Sequence, residues 1–585
     1  MGDAMDINNK YVFNWIEEVA RITQPDSIYW CNGSETEYQE LISEALKQKE
    51  FSKIEAKGWE NCYRYISDKN SVDHMRGISY ICSNTQIEDS KYHKWASAKT
   101  MHRNLKNLSY GSMKGKTLYV VPCILGPENS QFAKVGIELT DSLYVAVSLS
   151  LISNVGDPAW RLIGDSNRFL KGLHISSSQI SHEPMYVTFP DENYIITLNS
   201  TYGSYSFMTS HPWSLSLANA NHHEYNLLAA HMMIIGIESP EGEVKYIGAA
   251  SHSSGGKTKL SFVRPDSDVV EFKGYKCYSV ADDIVWLHQG PDDRVWAINP
   301  ELGYFSKLKD LTGEVGKTME NYIRKNTIFS NVPLDQEDNP WWPNKTSELP
   351  DMVKDWQNNV RPIRDPEDLK DIAPNSRYIY REQRYKDNGI YTTGVPLSAI
   401  LFITNNEDTS PIITEAYNWR HGILFGANIT NKMASVSEEK SYNPFGIYPY
   451  LLTGIGEYIR NWLNLGESLN KPPKIYKVNW NRLDENKMKI WPGENDNFRI
   501  LEWIFRRVSE KVSACESPIG LQPKTEDIVL SGMTMDKETF EKKLLSFDKN
   551  LSLQTYLDLN DYLKGKKDIP EALRLELENT ISRFK

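Results

Sequence analysis

The chain has 585 residues, 40% of them hydrophobic, which is too long for one ordinary domain and enough to build a large core. Its 66 Lys+Arg and 77 Asp+Glu residues give a net charge of -11, which argues against general electrostatic binding of nucleic acid. We therefore expect two or more lobes, and any anion-binding site must be local.

The N-terminal segment MGDAMDINNKYVFNWIEE has no basic flank leading into an apolar run, and later apolar stretches are too short to span a membrane. The six cysteines show no CxxC pairing, which favours reduced thiols over a disulfide framework or a zinc site. These features predict a cytoplasmic, unsecreted protein that contacts neither membrane nor nucleic acid.

The first recognisable elements are short β-rich runs bounded by turn residues, which predict strands. They are TLYVVPCIL (residues 117–125), SLYVAVSLSLI (142–152) and YIITL (194–198).

The next informative segment is EVKYIGAASHSSGGKTKLSFV, residues 243–263, where a strand-like run ends in glycines and a helix can begin directly after. Gly256 would let backbone N–H groups crowd around phosphate oxygens, Lys257 would neutralise them, and the hydroxyl of Thr258 would hold a divalent cation. Ser251 stands where this motif has its first glycine. A Gly-rich turn with a surface lysine therefore remains the alternative interpretation of this phosphate loop (P-loop).

About 25 residues later, CYSVADDIVWL is a β-rich run interrupted by Asp282 and Asp283. P-loop proteins commonly place here the acid that completes a metal site. A plain turn between strands is the alternative, but apolar residues on both sides would bury the turn and penalise uncompensated charge. The pair therefore predicts a bound cation.

The remaining elements complete a mixed α/β class. A polar, Pro-rich stretch over residues 331–374 is predicted to be a long excursion inside one domain. The run PLSAILFIT (396–404) is predicted to be a strand. The three-and-four apolar spacing of NFRILEWIFRRVSEKV (497–512) predicts a helix. The tail over residues 535–585 alternates charged and apolar residues at helical spacing, which predicts a solvated helical appendage.

Four segments, IGAASHSSGGKTKLSF, VADDIVWL, VWAINPELGYF and IRKNTIFSNV, resemble in order and spacing the kinase core of GTP-dependent phosphoenolpyruvate carboxykinases. The similarity extends over almost the whole chain, from SIYWCNGSETE to FRILEWIF. The resemblance implies a two-lobed α/β fold with a P-loop domain and an active-site cleft between the lobes. Residues 1–227 would form the substrate-binding lobe and residues 228–585 the nucleotide and metal lobe, with a lid at about 432–446.

In that family, decarboxylation of oxaloacetate is joined to phosphoryl transfer from GTP, giving phosphoenolpyruvate. The resemblance therefore implies Mn²⁺ and/or Mg²⁺, and a nucleoside triphosphate (GTP or ATP) or a diphosphate as the donor. We expect a monomer whose partners are a small-molecule substrate and a nucleotide.

Site residues carry over where this sequence matches the family. Lys257 and Thr258 match its P-loop, Asp282 and Asp283 its paired acids, and His231 its metal-binding histidine. His211 aligns with its metal-binding lysine, and a neutral imidazole also suits Mn²⁺, although a surface or satisfied histidine is the alternative.

The predicted site has four groups. The catalytic residues are Lys257, Asp283 and His231. The phosphate and nucleotide ligands are Ser253, Ser254, Gly255, Gly256, Lys257, Thr258, Lys259 and Asn497. The metal ligands are His211, His231, Asp282, Asp283 and Thr258. The substrate contacts are Tyr202, Gly203, His74, Arg76 and Asn405.

The chain departs from the family at several anion clamps. Asn405 and Asn406 replace a pair of arginines, Thr430 replaces another, and His74 stands at the substrate-carboxylate arginine, with Arg76 two places on. An arginine fork stabilises developing phosphoryl charge, whereas Asn and Thr bring hydrogen bonds without the charge. These replacements predict impaired oxaloacetate chemistry.

The nucleotide side departs as well. Gly255 replaces a reactive cysteine, and Lys259 replaces an asparagine and adds positive charge near the phosphates. Asn481, Lys489 and Glu494 stand where the family stacks aromatic rings on guanine, so stacking on the base is not expected.

Three functions follow from this pattern. The first is a divergent, metal-dependent phosphotransferase whose acceptor is not oxaloacetate. The second is an authentic carboxykinase with clamps relocated to Arg76, Lys259, Arg420 or Lys432. The third is a non-catalytic nucleotide-binding homologue, since loss of charge-stabilising residues costs catalysis more than binding.

Overall fold

The computed structural model describes residues 9–68, 77–84, 92–201, 210–252, 255–346, 348–365, 367–382, 394–404, 410–431, 441–467, 469–486 and 488–585. It has the predicted mixed α/β class. The chain divides into two compact units. Unit 1 comprises Met1–Asn221, Pro300–Thr312 and Glu320–Thr393, and unit 2 comprises His222–Asn299, Gly313–Met319 and Gly394–Lys585. Within the described ranges, no helix combines the length and the apolar character that crossing a membrane requires.

Unit 1 is built on a nine-stranded sheet and a five-stranded sheet. The strands of the first are, in order, Ser27–Trp30, Thr117–Leu125, Lys134–Thr140, Leu170–Ile175, Tyr194–Leu198, Met185–Phe189, Ser79–Ser83 and His93–Ser97, with Asn154–Val155 paired to the second of these. Those of the other are Gly303–Lys307, Arg377–Arg381, Thr327–Ser330, Tyr63–Tyr65 and Phe51–Lys53. Met352–Lys354 and Val360–Pro362 form a separate pair within the Pro-rich excursion.

The helices of unit 1 include Lys10–Thr23, whose apolar face, with Val12, Ile16 and Val19, is buried in the core of the larger sheet. They are Lys10–Thr23, Glu35–Lys47, Ala98–Leu108, Leu143–Ile152, Asp157–Ile163, Ser210–Pro212, Ala218–Ala220 and Leu369–Ile372.

Unit 2 is built on a ten-stranded sheet. Its strands are, in order, Val244–Ala250, Leu228–Glu238, Ile284–Gln289, Val295–Ile298, Val395–Ile403, Lys474–Val478, Ile413–Glu415, Gly520–Gln522 and Cys515–Ser517, with Lys276–Ala281 paired to Leu228–Glu238. Thr430–Asn431 and Ser441–Tyr442 form a separate pair. The helices are His222–Tyr225, Lys257–Ser261, Trp419–Ala427, Ile455–Glu467, Asn497–Val508, Lys537–Phe540, Lys549–Lys564 and Glu571–Ser582, and Gly313–Ile323 begins in this unit.

The register of this sheet positions the candidate site. Strand Leu228–Glu238 runs antiparallel to three neighbours, with Met232 opposite Ala250 in one and His231 opposite Ile284 in another. The backbone N–H of Met232 also donates to the carbonyl of Asp283 at 2.8 Å. The register therefore brings together His231, the end of the P-loop strand and the acidic turn.

Most predicted elements are confirmed. The runs TLYVVPCIL, YIITL and PLSAILFIT become strands Thr117–Leu125, Tyr194–Leu198 and Val395–Ile403, and the helix predicted from residue 497 spans Asn497–Val508. In that helix Phe498, Leu501 and Trp503 are fully buried in the core of unit 2.

The strand predicted over residues 142–152 is wrong, because this segment forms helix Leu143–Ile152. Nine of its ten residues are buried, so no polar face reveals the helical period. Its start is fixed by Glu50, whose carboxylate accepts from the Ser142 hydroxyl at 2.6 Å and from the N–H groups of Leu143 and Tyr144 at 3.2 and 3.0 Å. A carboxylate at a helix N-terminus also suits the helix dipole.

The C-terminal tail is helical as predicted, but it is not a solvated appendage. Leu559 and Leu573 are fully buried, and Tyr556 is 3% exposed. The Arg583 guanidinium lies 4.6 Å from the centre of the Tyr417 ring. These contacts make the last two helices part of unit 2.

Candidate active site

The P-loop begins where strand Val244–Ala250 ends at the buried Ser251 and leads into the short helix Lys257–Ser261. Gly256 has φ +95°, a conformation that residues with a Cβ rarely adopt. A Cβ on Gly255 would lie 2.4 Å from the Ser251 hydroxyl oxygen. Both glycines are therefore required by the local geometry.

Lys257 points back under the loop rather than into solvent. Its side chain is 5% exposed, and Nζ donates to the Ser251 carbonyl at 3.1 Å and to His231 Nε2 at 3.0 Å. Nζ also lies 3.3 Å from Asp283 Oδ1. A surface lysine on a Gly-rich turn, the alternative raised by the sequence, does not describe this arrangement.

His231 is held as a neutral imidazole with a defined tautomer. It is 2% exposed, and its Nδ1 lies 2.8 Å from the carbonyl of Gly446, which can only accept. The proton is thereby assigned to Nδ1 and the lone pair to Nε2. Burial lowers the pKa of His231, Asp283 opposes this and Lys257 adds to it. Nε2 therefore presents a lone pair to its neighbours.

His231 Nε2 and Asp283 Oδ1 lie 3.0 Å apart. A lone-pair nitrogen and a carboxylate oxygen at this distance repel one another unless a cation lies against both. In this structure the ammonium of Lys257 contacts both atoms. One imidazole nitrogen and one carboxylate oxygen are also a donor pair that suits Mn²⁺, so the residues present fit a divalent cation.

The two acids of the predicted pair occupy different environments. They form the turn between strands Lys276–Ala281 and Ile284–Gln289. The Asp283 side chain is 30% exposed and contacts His231 and Lys257, whereas Asp282 is buried at 5% exposure.

Lys259, a predicted nucleotide ligand in the P-loop helix, forms an ion pair with Glu494. Lys259 Nζ lies 3.6 Å from the carboxylate of Glu494, which also accepts from the N–H of Val315 at 3.3 Å. Burial lowers the pKa of Lys489, and Lys259 lowers it further. Asn497, the first residue of its helix, accepts at Oδ1 from Trp491 Nε1 at 2.9 Å. Lys259, Lys489 and Glu494 therefore form a charged group beside the P-loop helix.

His211 lies in unit 1, where its Nδ1 is 3.5 Å from the carboxylate of Glu301. Both side chains are largely buried. This pairing gives His211 an acidic neighbour, and its role as a metal ligand stays a prediction.

Other predicted residues lie outside the described ranges. They are Ser253, Ser254, Tyr202, Gly203, His74, Arg76, Asn405, Asn406 and the lid residues 432–440.

Three contributors to the site were not predicted in this role: the carbonyl of Ser251, the carbonyl of Gly446 and the ring of Tyr450. The Tyr450 ring stands edge-on to His231 with centroids 5.2 Å apart. Backbone carbonyls have no sequence signal, because every residue carries one. Gly446 is the last residue of the predicted lid, and nothing in the sequence pointed to its contact with His231.

Gly446→Ala is expected to lower Mn²⁺ affinity about 10- to 100-fold, as loss of a group that orients a metal ligand does. Gly446 has φ +69°, and an added Cβ would lie 2.3 Å from the carbonyl atoms of Ser251. The backbone must then shift and its carbonyl must leave His231 Nδ1. Mn²⁺ titration followed by electron paramagnetic resonance measures the effect. Gly454→Ala, where a Cβ meets open space, is the matched control; equal affinities in the two variants would contradict the orienting role of Gly446.

The chain is similar to known proteins over its whole length. Two family models match: the phosphoenolpyruvate carboxykinase N-terminal domain over residues 14–221, and the phosphoenolpyruvate carboxykinase C-terminal P-loop domain over residues 227–583. Three relatives named phosphoenolpyruvate carboxykinase (GTP) are each 32% identical to the chain. They come from Anaeromyxobacter dehalogenans strain 2CP-1 (100% of this chain, 98% of the relative), Chlamydia abortus (98% and 97%) and Neocallimastix frontalis (99% and 98%).

Proposed function

Since the chain belongs to the GTP-dependent phosphoenolpyruvate carboxykinase family, we propose that it is a metal-dependent enzyme converting oxaloacetate and GTP to phosphoenolpyruvate, GDP and CO₂. The observation that carries the proposal is the contact of one lysine ammonium with His231 Nε2 and Asp283 Oδ1 at the base of the P-loop. Full-length similarity to relatives that bear this name supports it.

In the proposed reaction, oxaloacetate loses CO₂ and leaves an enolate. The enolate oxygen attacks the γ-phosphorus of the nucleotide, and the bond from that phosphorus to the bridging oxygen of GDP breaks. Lys257 neutralises phosphate charge, while His231, oriented by the Gly446 carbonyl, and Asp283 hold the cation. A bound Mn²⁺ or Mg²⁺ would supply Lewis-acid stabilisation of the charge that develops on the transferred group.

A different phosphoryl acceptor is the second candidate, favoured by the replaced arginines. Thr430, one of those replacements, is 6% exposed. Arg420, a proposed substitute clamp, donates from Nε to Glu467 at 2.6 Å. Lys259, another, lies beside Glu494. Each of these two cations therefore already has an acidic neighbour.

The deciding experiment measures phosphoenolpyruvate formation from oxaloacetate with GTP or ATP, and the reverse reaction with bicarbonate and GDP or ADP, each with Mn²⁺ and Mg²⁺. Lys257→Met serves as the blank. Turnover that depends on Lys257 supports the carboxykinase. Absence of turnover with every donor and metal, while nucleotide and metal still bind, rejects it and leaves another acceptor or a non-catalytic binding role.

A further inference from the structure

A second group of metal-ligating side chains lies in unit 2, apart from the residues assigned above. His222 and His223 belong to the helical turn His222–Tyr225, and Glu457 belongs to the first turn of helix Ile455–Glu467. One ligand atom from each lies within 4.8 Å of the other two. Nothing in the proposed carboxykinase reaction uses these residues.

The spacing suits a small divalent ion. Donors bound tetrahedrally at zinc-like distances of about 2.0–2.1 Å are separated from one another by about 3.3–3.4 Å. His222 Nδ1 and Glu457 Oε1 are already 3.6 Å apart. The imidazole of His223, which is exposed, needs only a side-chain rotation to complete the three donors.

An ordinary ion pair between His222 and Glu457 is the simpler explanation for part of this group. Such a pair requires only the imidazole of His222, however. It does not account for the second imidazole, that of His223, whose ring centroid lies 3.7 Å from that of His222. Two imidazoles and one carboxylate form a donor set found in zinc enzymes, which keep a fourth position for water. The exposure of His223 leaves solvent access for that water.

We propose that His222, His223 and Glu457 form a further metal site that binds zinc-class transition-metal ions, with water as the remaining ligand. Two imidazole nitrogens favour Zn²⁺, Ni²⁺ or Cu²⁺ over Mg²⁺, which prefers oxygen ligands. The bound ion would join the turn preceding strand Leu228–Glu238 to helix Ile455–Glu467. Helix Ile455–Glu467 already contacts strand Leu228–Glu238 through the Tyr458 hydroxyl, which donates to the Ala229 carbonyl at 3.0 Å.

The test titrates the full-length, metal-free protein with Zn²⁺ by calorimetry and with Co²⁺ by its visible absorption. An Asp283→Asn background weakens binding at the candidate active site, so that the two sites are told apart by affinity. We expect one tighter Zn²⁺ site in that background, whose affinity falls about 100-fold or more in His222→Ala, in His223→Ala and in Glu457→Gln. His182→Ala, an exposed histidine of unit 1, is the matched control.

The outcomes separate the alternatives. Loss of affinity in all three variants but not in the control supports the three-donor site. If His223→Ala binds Zn²⁺ as tightly as His182→Ala does, the three-donor site is overturned and only a His222–Glu457 ion pair is left. Near-ultraviolet circular dichroism of each variant checks that the substitutions leave the fold intact, and Glu457→Gln, which keeps side-chain size, gives an independent reading.

Discussion

Lys257→Met is expected to lower kcat for phosphoenolpyruvate formation about 10²- to 10³-fold, the loss typical of removing one group that stabilises transition-state charge. Methionine keeps much of the length and apolar stem of lysine, but it carries no ammonium to neutralise phosphate. The measurement is the steady-state rate with saturating oxaloacetate, GTP and Mn²⁺. Nucleotide affinity is measured in parallel, so that a loss of binding and a loss of chemistry are told apart.

The matched control is Lys273→Met, which removes an exposed lysine of the same unit that has no predicted role in the site. We expect this variant to retain most of the rate. A second readout needs no turnover: without nucleotide, Lys257→Met is expected to bind Mn²⁺ more tightly, because the ammonium no longer contacts His231 and Asp283. Equal rates in the wild type and Lys257→Met would refute the P-loop assignment.

Asp283→Asn is expected to weaken Mn²⁺ binding by about 100-fold or more, beyond the loss seen when only an orienting partner is removed. The amide preserves the shape of the carboxylate but removes its charge. His231 Nε2, 3.0 Å away, would then be left as the nearest strong donor. The free Mn²⁺ signal in electron paramagnetic resonance measures the affinity directly, with no dependence on which substrate is correct.

Asp268→Asn, at an exposed position in the same unit, serves as the control for lost negative charge. Both variants lower the net acidic charge by the same amount, so a general electrostatic effect would appear in each. If Asp283→Asn kept the Mn²⁺ affinity of this control, the cation site would have to be sought elsewhere.

The local sequence pattern was enough to predict the elements whose own residues carry a motif or a hydrophobic period. The P-loop, the acidic turn at Asp282–Asp283 and the helix from Asn497 each carry their signal within a short window, and the structure contains all three. Helix Leu143–Ile152 carries none, since burial on all sides removes the periodicity. Its N-terminal partner, Glu50, lies 92 residues away from Ser142 in the sequence.

The same limit applies to the site. His231 was predicted from a resemblance in sequence and Lys257 already from the P-loop pattern, and the sheet register explains why they meet. The tautomer of His231 depends on the carbonyl of Gly446, 215 residues away. The ion pair of Lys259 depends on Glu494 in the same way. Such partners are set by tertiary packing, which no local window contains.

The division of unit 1 into three chain segments bears on how this protein is synthesised and how it can be cut. A fragment ending at Asn221 would hold strands Phe51–Lys53 and Tyr63–Tyr65 of the five-stranded sheet but lack the other three, which lie between Gly303 and Arg381. The unpaired edge left on Tyr63–Tyr65 would invite aggregation. During synthesis the same sheet stays incomplete until well after the P-loop has been made, so unit 1 cannot finish folding before a large part of unit 2 has been synthesised.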